Sequence, residues 1–194
     1  MEKLNGKNKL KVSVFISGRG TNLKSLINFS KNKNSRIKIN LIISDNKYAK
    51  GLYFAKKNKI NFLIVNYKSI KVAEQKILIC LKRNNIDLIC LAGFMKILSK
   101  NFINKFNGKI VNIHPSLLPK YKGLDTHRRV ILNKEKYSGC TVHFVTSKLD
   151  SGKIVLQKKV KISKNDTPKS LAKKILKQEH IIYPRALKKI FTNP

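Results

Sequence analysis

The segment Asn112-Ile113-His114-Pro115-Ser116-Leu117-Leu118-Pro119 holds the residue types with the most chemistry in the chain. It follows an apolar, strand-like run at 109–111, and in an extended strand residues i and i+2 share a face. Asn112 and His114 are therefore predicted to project together. Pro115 then removes a backbone donor and discourages continuation of a central strand. A carboxamide that donates to an oxyanion, beside an imidazole that moves protons near neutral pH, suits attack on a carbonyl carbon. Asn at a strand end also serves simply to cap a turn, so spacing alone leaves both roles open.

A second candidate is the turn Ser17-Gly18-Arg19-Gly20-Thr21-Asn22, between an apolar β-branched run at 11–16 and a helical pattern at 23–29. Backbone N–H groups at a helix N-terminus favour an anion. The turn lacks the full G-x-G-x-x-G spacing and the G-K-S/T of a P-loop, which points to a single phosphate rather than a dinucleotide or ATP. Glycines placed only for a tight turn are the plainer alternative. Asp150, in the loop 147–152, is a candidate carboxylate to orient His114 or relay a proton. An exposed turn aspartate before a glycine is its commoner role.

The elements that must position these residues alternate. Strands are expected at 11–16, 37–43, 62–65, 86–91 and 110–113, with helices at 23–29, 48–57, 71–84 and 96–106 between them. Near-continuous apolar strands separated by helices predict an α/β fold: a mostly parallel twisted sheet covered by helices on both faces. Ligands of such sheets sit beyond the carboxyl ends of the strands, where all three candidate segments end. After Pro119 the pattern gives a helix within 123–132, strands at 140–145 and 154–162, and a long helix from the N-cap Thr167 and Pro168 to about 191, with a kink expected at Pro184.

Composition narrows the rest. A chain of 194 residues with 42% hydrophobic content suits one core-forming domain, 1–194, with 1–9 as a flexible basic N-terminus. No run reaches the roughly 18 apolar residues of a membrane span. The polar start Met1-Glu2-Lys3-Leu4-Asn5-Gly6-Lys7 lacks the apolar centre of a secretory signal. Cys80, Cys90 and Cys140, odd in number and in apolar surroundings, read as core residues of a reduced, cytoplasmic protein. They and four dispersed histidines form no metal-ligand spacing, so no metal is expected. The net charge of +34 invites nucleic acid, yet only six of the 43 Lys and Arg are arginine, and no basic stretch interleaves aromatics. The accompanying Asn and Ile fit compositional drift toward A/T-rich codons, and no specific nucleic-acid partner is expected. His143, on a predicted buried strand, reads as a satisfied core histidine rather than a third catalytic group. His127 and His180 read as helix-face packing.

The runs Leu91-Ala92-Gly93-Phe94-Met95-Lys96-Ile97-Leu98, Asn112 to Pro119, and Cys140-Thr141-Val142-His143-Phe144-Val145 ahead of Leu149-Asp150 carry a resemblance. In this order they resemble the glycinamide ribonucleotide (GAR) formyltransferases, folate-dependent enzymes of purine synthesis. The likeness extends from about Lys11 through Gln178-Glu179-His180-Ile181-Ile182-Tyr183-Pro184. It implies a Rossmann-like formyltransferase fold and transfer of a formyl group from 10-formyltetrahydrofolate to the glycyl amine of GAR, in de novo purine (IMP) synthesis. It also implies that Asn112, His114 and Asp150 are catalytic, that Gly20, Thr21 and Asn22 hold the phosphate, and that Glu179 meets the ribose. Met95, Lys96, Ile97 and Leu98, with Asn112, would line the folate pocket.

Three positions depart from the pattern. Lys96 stands where the family often has Arg, keeping the charge without the planar fork. Asp125 stands where relatives carry His or Asn. The stretch at Ile70 and Lys71 supplies no arginine. Methionyl-tRNA formyltransferase shares the Asn-x-His core but adds a C-terminal RNA-binding domain, for which no residues remain after about 191. Formyltetrahydrofolate hydrolase usually carries an N-terminal regulatory domain, and only about ten residues precede the first strand. A small-molecule enzyme, monomer or homodimer, is the expectation.

Overall fold

A computed structural model describes residues 9–192 of the chain, so the predicted flexible stretch lies, for residues 1–8, outside the described residues. Strand β1 (Leu10–Ile16) is buried on both faces. Val12, Val14 and Ile16 enter one core cluster and Phe15 the other, as a period of two requires. The strands β2 (Ile37–Ser44), β3 (Asn61–Ile64), β4 (Leu88–Leu91) and β5 (Lys109–His114) pair in parallel around it. Then β6 (Tyr137–Phe144) and β7 (Ile154–Lys161) add antiparallel to β5. The order is β3-β2-β1-β4-β5-β6-β7, the predicted Rossmann-like, mostly parallel sheet.

Helices cover both faces. The first cluster packs α1 (Thr21–Ser30), α2 (Leu52–Lys57), α5 (Thr126–Leu132) and α6 (Pro168–Thr192) on the sheet. The second holds α3 (Ile70–Arg83) and α4 (Lys100–Lys105) on the other side. Two expected helices are shorter than their apolar pattern. The Asn46 side chain accepts from the Tyr48 N–H and makes a turn, so α2 starts only at Leu52. Ser99 caps α4 by accepting from the Phe102 N–H, leaving 95–98 as irregular backbone rather than helix. Thr167 caps α6 through the Ser170 N–H as expected, and Pro184 sits inside that helix, which runs on without a break. Cys90 and Cys140 are buried and Cys80 is half-buried, all three free. Among the described residues no helix is long and apolar enough to cross a membrane.

Tyr183, fully buried on α6, locks that helix to the centre of the sheet. Its hydroxyl points at the Leu91 carbonyl (3.0 Å) and the Val111 carbonyl (3.2 Å), on two adjacent strands. A buried carbonyl left without a donor costs about 1–3 kcal/mol. Tyr183→Phe is expected to destabilise the protein by that amount, read as a lower urea midpoint at unchanged slope. An unchanged midpoint would show that the hydroxyl contributes nothing.

Candidate active site

The strand order reverses between β1 and β4, the switch point beyond whose carboxyl ends sheets of this kind bind their ligands. Two predicted binding segments meet at this point. The Ser17 N–H donates to the Gly93 carbonyl (3.1 Å), and the Ser17 hydroxyl accepts from the Met95 N–H (2.8 Å). The phosphate-type turn and the 95–98 segment are thereby one continuous rim. Gly20 enters α1 with φ +71°, and a Cβ there would lie 2.5 Å from the Gly51 Cα, so only glycine fits. No side chain caps α1, and its first turn holds no acidic residue.

Asn22 in that first turn is buried and donates to Glu179 Oε2 at 2.7 Å, across 157 residues of sequence. Burial pushes the Glu179 carboxyl up, and the Asn22 amide pulls it partly back. Asn22 Oδ1 is buried without a partner. Along the rim, Met95 and Ile97 are 63% and 71% exposed, whereas Leu98 is buried in the second core cluster. The Lys96 ammonium lies 3.9 Å from Asp45, whose side chain is buried.

On β5, Ile110, Asn112 and His114 share a face, and Ile110 belongs to the second core cluster. Antiparallel pairing sets Asn112 opposite His143 and His114 opposite Thr141. His114 Nδ1 lies 3.3 Å from Asp150 Oδ2, and its Nε2 lies 2.8 Å from the Tyr121 carbonyl. The three predicted catalytic candidates thus come together, although 36 residues separate His114 from Asp150 in sequence. Asp150 adopts φ +45°, a conformation Asp tolerates, and its Oδ2 accepts from the Gly123 N–H at 2.9 Å.

The electrostatics follow from this packing. Burial lowers the His114 pKa below its ordinary value, against the opposing pull of the Tyr121 carbonyl and Asp150. Burial raises that of Asp150, but His143, the Gly123 N–H and the His114 ring outweigh it, and the net direction is down. A neutral imidazole carries one N–H, while two oxygens face the two ring nitrogens of His114. The pair is one proton short of full hydrogen bonding.

Two contributors escaped the sequence. His143 is buried as expected, with its Nδ1–H directed at the Phe144 carbonyl (2.9 Å). Its Nε2, however, faces the Asn112 amide at 3.3 Å and Asp150 Oδ1 at 3.6 Å, so it is part of the site. Tyr121 adopts φ +56° and brings its carbonyl to His114. No sequence signal marks either, because strand pairing and loop conformation create both contacts. His127 and His180 are both partly buried, and each has one ring nitrogen buried without a partner. Among the described residues no group of three His, Cys, Asp or Glu is placed to hold a metal.

Burial lowers the pKa of His114, His127 and His180 alike. Between those lowered values and about 6.5 the unfolded chain binds more protons than the folded one, so stability rises with pH. Unfolding free energy is expected to fall as pH drops from about 7 to about 5. Urea titrations at the two pH values check this, and equal stabilities would refute it.

A doubly wound sheet with a carboxamide, an imidazole and a carboxylate at its rim defines the class, and the chain belongs to the formyl transferase family, whose model matches residues 10–187. Within it the chain is similar to phosphoribosylglycinamide formyltransferase of Haemophilus influenzae, 42% identical over 92% of this chain and 85% of that one. The crystal structure of phosphoribosylglycinamide formyltransferase from Brucella melitensis superposes with a TM-score of 0.90 at 39% identity, covering 96% and 97% of the two chains. The human trifunctional purine biosynthetic protein adenosine-3 is 41% identical over 93% of this chain, which spans only 18% of its length.

Proposed function

We propose that the chain transfers the formyl group of 10-formyltetrahydrofolate to the glycyl amine of GAR, as a phosphoribosylglycinamide formyltransferase of de novo purine (IMP) synthesis. The observation that carries this is the convergence of Asn112 and His114, on β5, with Asp150 from the loop between β6 and β7 at one rim. 10-Formyltetrahydrofolate supplies the formyl carbon when bound. The rim fits it: Met95 and Ile97 offer exposed apolar side chains to a flat ring system, and Lys96 a cation to an acidic tail. Leu98 supports that wall from the core. Gly20, Thr21 and Asn22 present the uncapped start of α1 to the GAR phosphate. The partnerless Asn22 Oδ1 and the Glu179 carboxylate beside it accept from ribose hydroxyls.

Each catalytic residue has one task. Asn112, its amide fixed by His143, donates N–H to the formyl oxygen as attack by the amine places charge there. The His114–Asp150 pair, one proton short, takes up the proton the amine loses as its N–C bond forms and returns it to N10 of tetrahydrofolate as the C–N10 bond breaks. Asp150, kept ionised and held by the Gly123 N–H, orients the ring and stabilises the imidazolium that results. No metal enters these steps. Residues 1–194 then form one formyltransferase domain, acting in the cytoplasm as a monomer or homodimer, on small molecules rather than membrane or specific nucleic acid.

The test incubates the protein with 10-formyltetrahydrofolate and GAR, with formyl-Met-tRNA synthesis in parallel. Formyl-GAR accumulating while the tRNA stays unmodified is the expected result. Formylation of Met-tRNA alone would overturn the assignment. So would steep salt-dependent affinity for DNA or RNA without any formyl transfer.

A further inference from the structure

Between the segment 117–121 and the start of β6, which extends past the carboxyl end of β5, lies a cavity of about 230 Å³. Leu117 and Val130 supply apolar walls, Tyr121 and Tyr137 aromatic ones, and Ser138 and Lys159 polar groups. Ser138 is buried, yet its Oγ has no hydrogen-bond partner, an expensive state for a hydroxyl unless something else satisfies it. Lys159 places its ammonium 3.7 Å from the Tyr137 ring centre and has no carboxylate within salt-bridge reach among the described residues. At the mouth, Lys120 is paired with Glu135 at 3.0 Å. The cavity therefore carries one uncompensated positive charge, one idle hydroxyl and aromatic walls.

We propose that this cavity is a binding site for a small aromatic carboxylate, and that its occupancy is felt at His114 through Tyr121. The carboxylate would accept from the Ser138 hydroxyl and pair with Lys159, while the ring packs against Tyr121 and Tyr137 over Leu117 and Val130. The volume suits a body of about ten heavy atoms, below the size of drug-like ligands. Tyr121 supplies the coupling. Its hydroxyl donates to Glu135 (2.9 Å) and accepts from the Asn133 amide (2.9 Å), while its carbonyl faces His114 Nε2 (2.8 Å). A non-glycine residue at φ +56° holds that conformation only while its surroundings impose it. A ligand that binds this arrangement of the ring shifts the population toward it, and so toward the carbonyl contact on His114.

Benzoate is the probe, titrated into the whole chain without folate or GAR and followed by NMR. The amide signals of residues 117–123 and the imidazole signals of His114 are expected to move together, with one dissociation constant of about 1 mM or tighter. Benzamide, which keeps the ring but lacks the charge, is expected to bind about tenfold more weakly. Ser138→Ala and Lys159→Gln should each weaken benzoate about tenfold, with formyl transfer in the absence of benzoate unchanged. No saturable shift, or equal affinity for benzoate and benzamide, overturns the site. Saturation at residues 117–123 with stationary His114 signals overturns the coupling. Binding is read without the reaction, so failure of the proposed formyl transfer would leave this result intact and distinguishable.

Discussion

His114→Ala is expected to lower turnover about 10²–10⁴-fold, the range for removing a positioned acid–base group. The imidazole is buried between the Tyr121 carbonyl and Asp150, and its pKa is lowered by burial, so it enters the reaction as a proton acceptor. With alanine there, Asp150 keeps its Gly123 N–H and its approach to His143, but nothing bridges it to the amine. The fold should persist, because the hydrophobic clusters do not include His114. Steady-state turnover at saturating GAR and 10-formyltetrahydrofolate measures the effect. Added imidazole, small enough for the space left behind, should restore part of it. Near-normal turnover in the variant would remove His114 from the catalytic set.

Asn112→Asp should be nearly as damaging, about 10²–10³-fold in kcat, the cost of losing one oxyanion donor. The substitution keeps shape and replaces a donating amide with an acceptor-only carboxylate, facing the oxygen on which negative charge develops. Because Asn112 acts on charge that exists only in the transition state, kcat should fall while KM for both substrates stays close to normal. His143 supplies an internal control. Its Nε2 faces the Asn112 amide, so His143→Ala should loosen the amide and lower kcat less than loss of the amide itself. A rise in KM with unchanged kcat in Asn112→Asp would make Asn112 a ground-state binding residue instead.

These two effects rest on residues that one local pattern makes visible together. Asn112 and His114 sit two apart on one strand, and the period of the β-strand alone puts them on one face. The alternation of apolar strands and helices likewise predicts the sheet, and apolar runs locate its strands to within a few residues. The ends of α2 and α4 were less legible, because single side chains, Asn46 and Ser99, redirect the backbone against an otherwise helical pattern. Leu98 illustrates the same limit: segment 91–98 reads as one motif, but its irregular backbone turns Met95 and Ile97 outward and Leu98 into the core.

Local order in the chain therefore determined the sheet, the strand carrying the Asn-x-His pair and the glycine turn that starts α1, because each depends on periodicity or on backbone freedom within a few residues. Only the tertiary structure decided that Asp150 reaches His114, that His143 braces Asn112, that Tyr121 touches the imidazole and that Glu179 joins Asn22. Those contacts arise from antiparallel addition of β6 to β5, from a loop held at positive φ, and from α6 packing on α1. They bridge separations of 7 to 157 residues, and how such segments come to face each other is set by packing of the whole core, which no local pattern encodes.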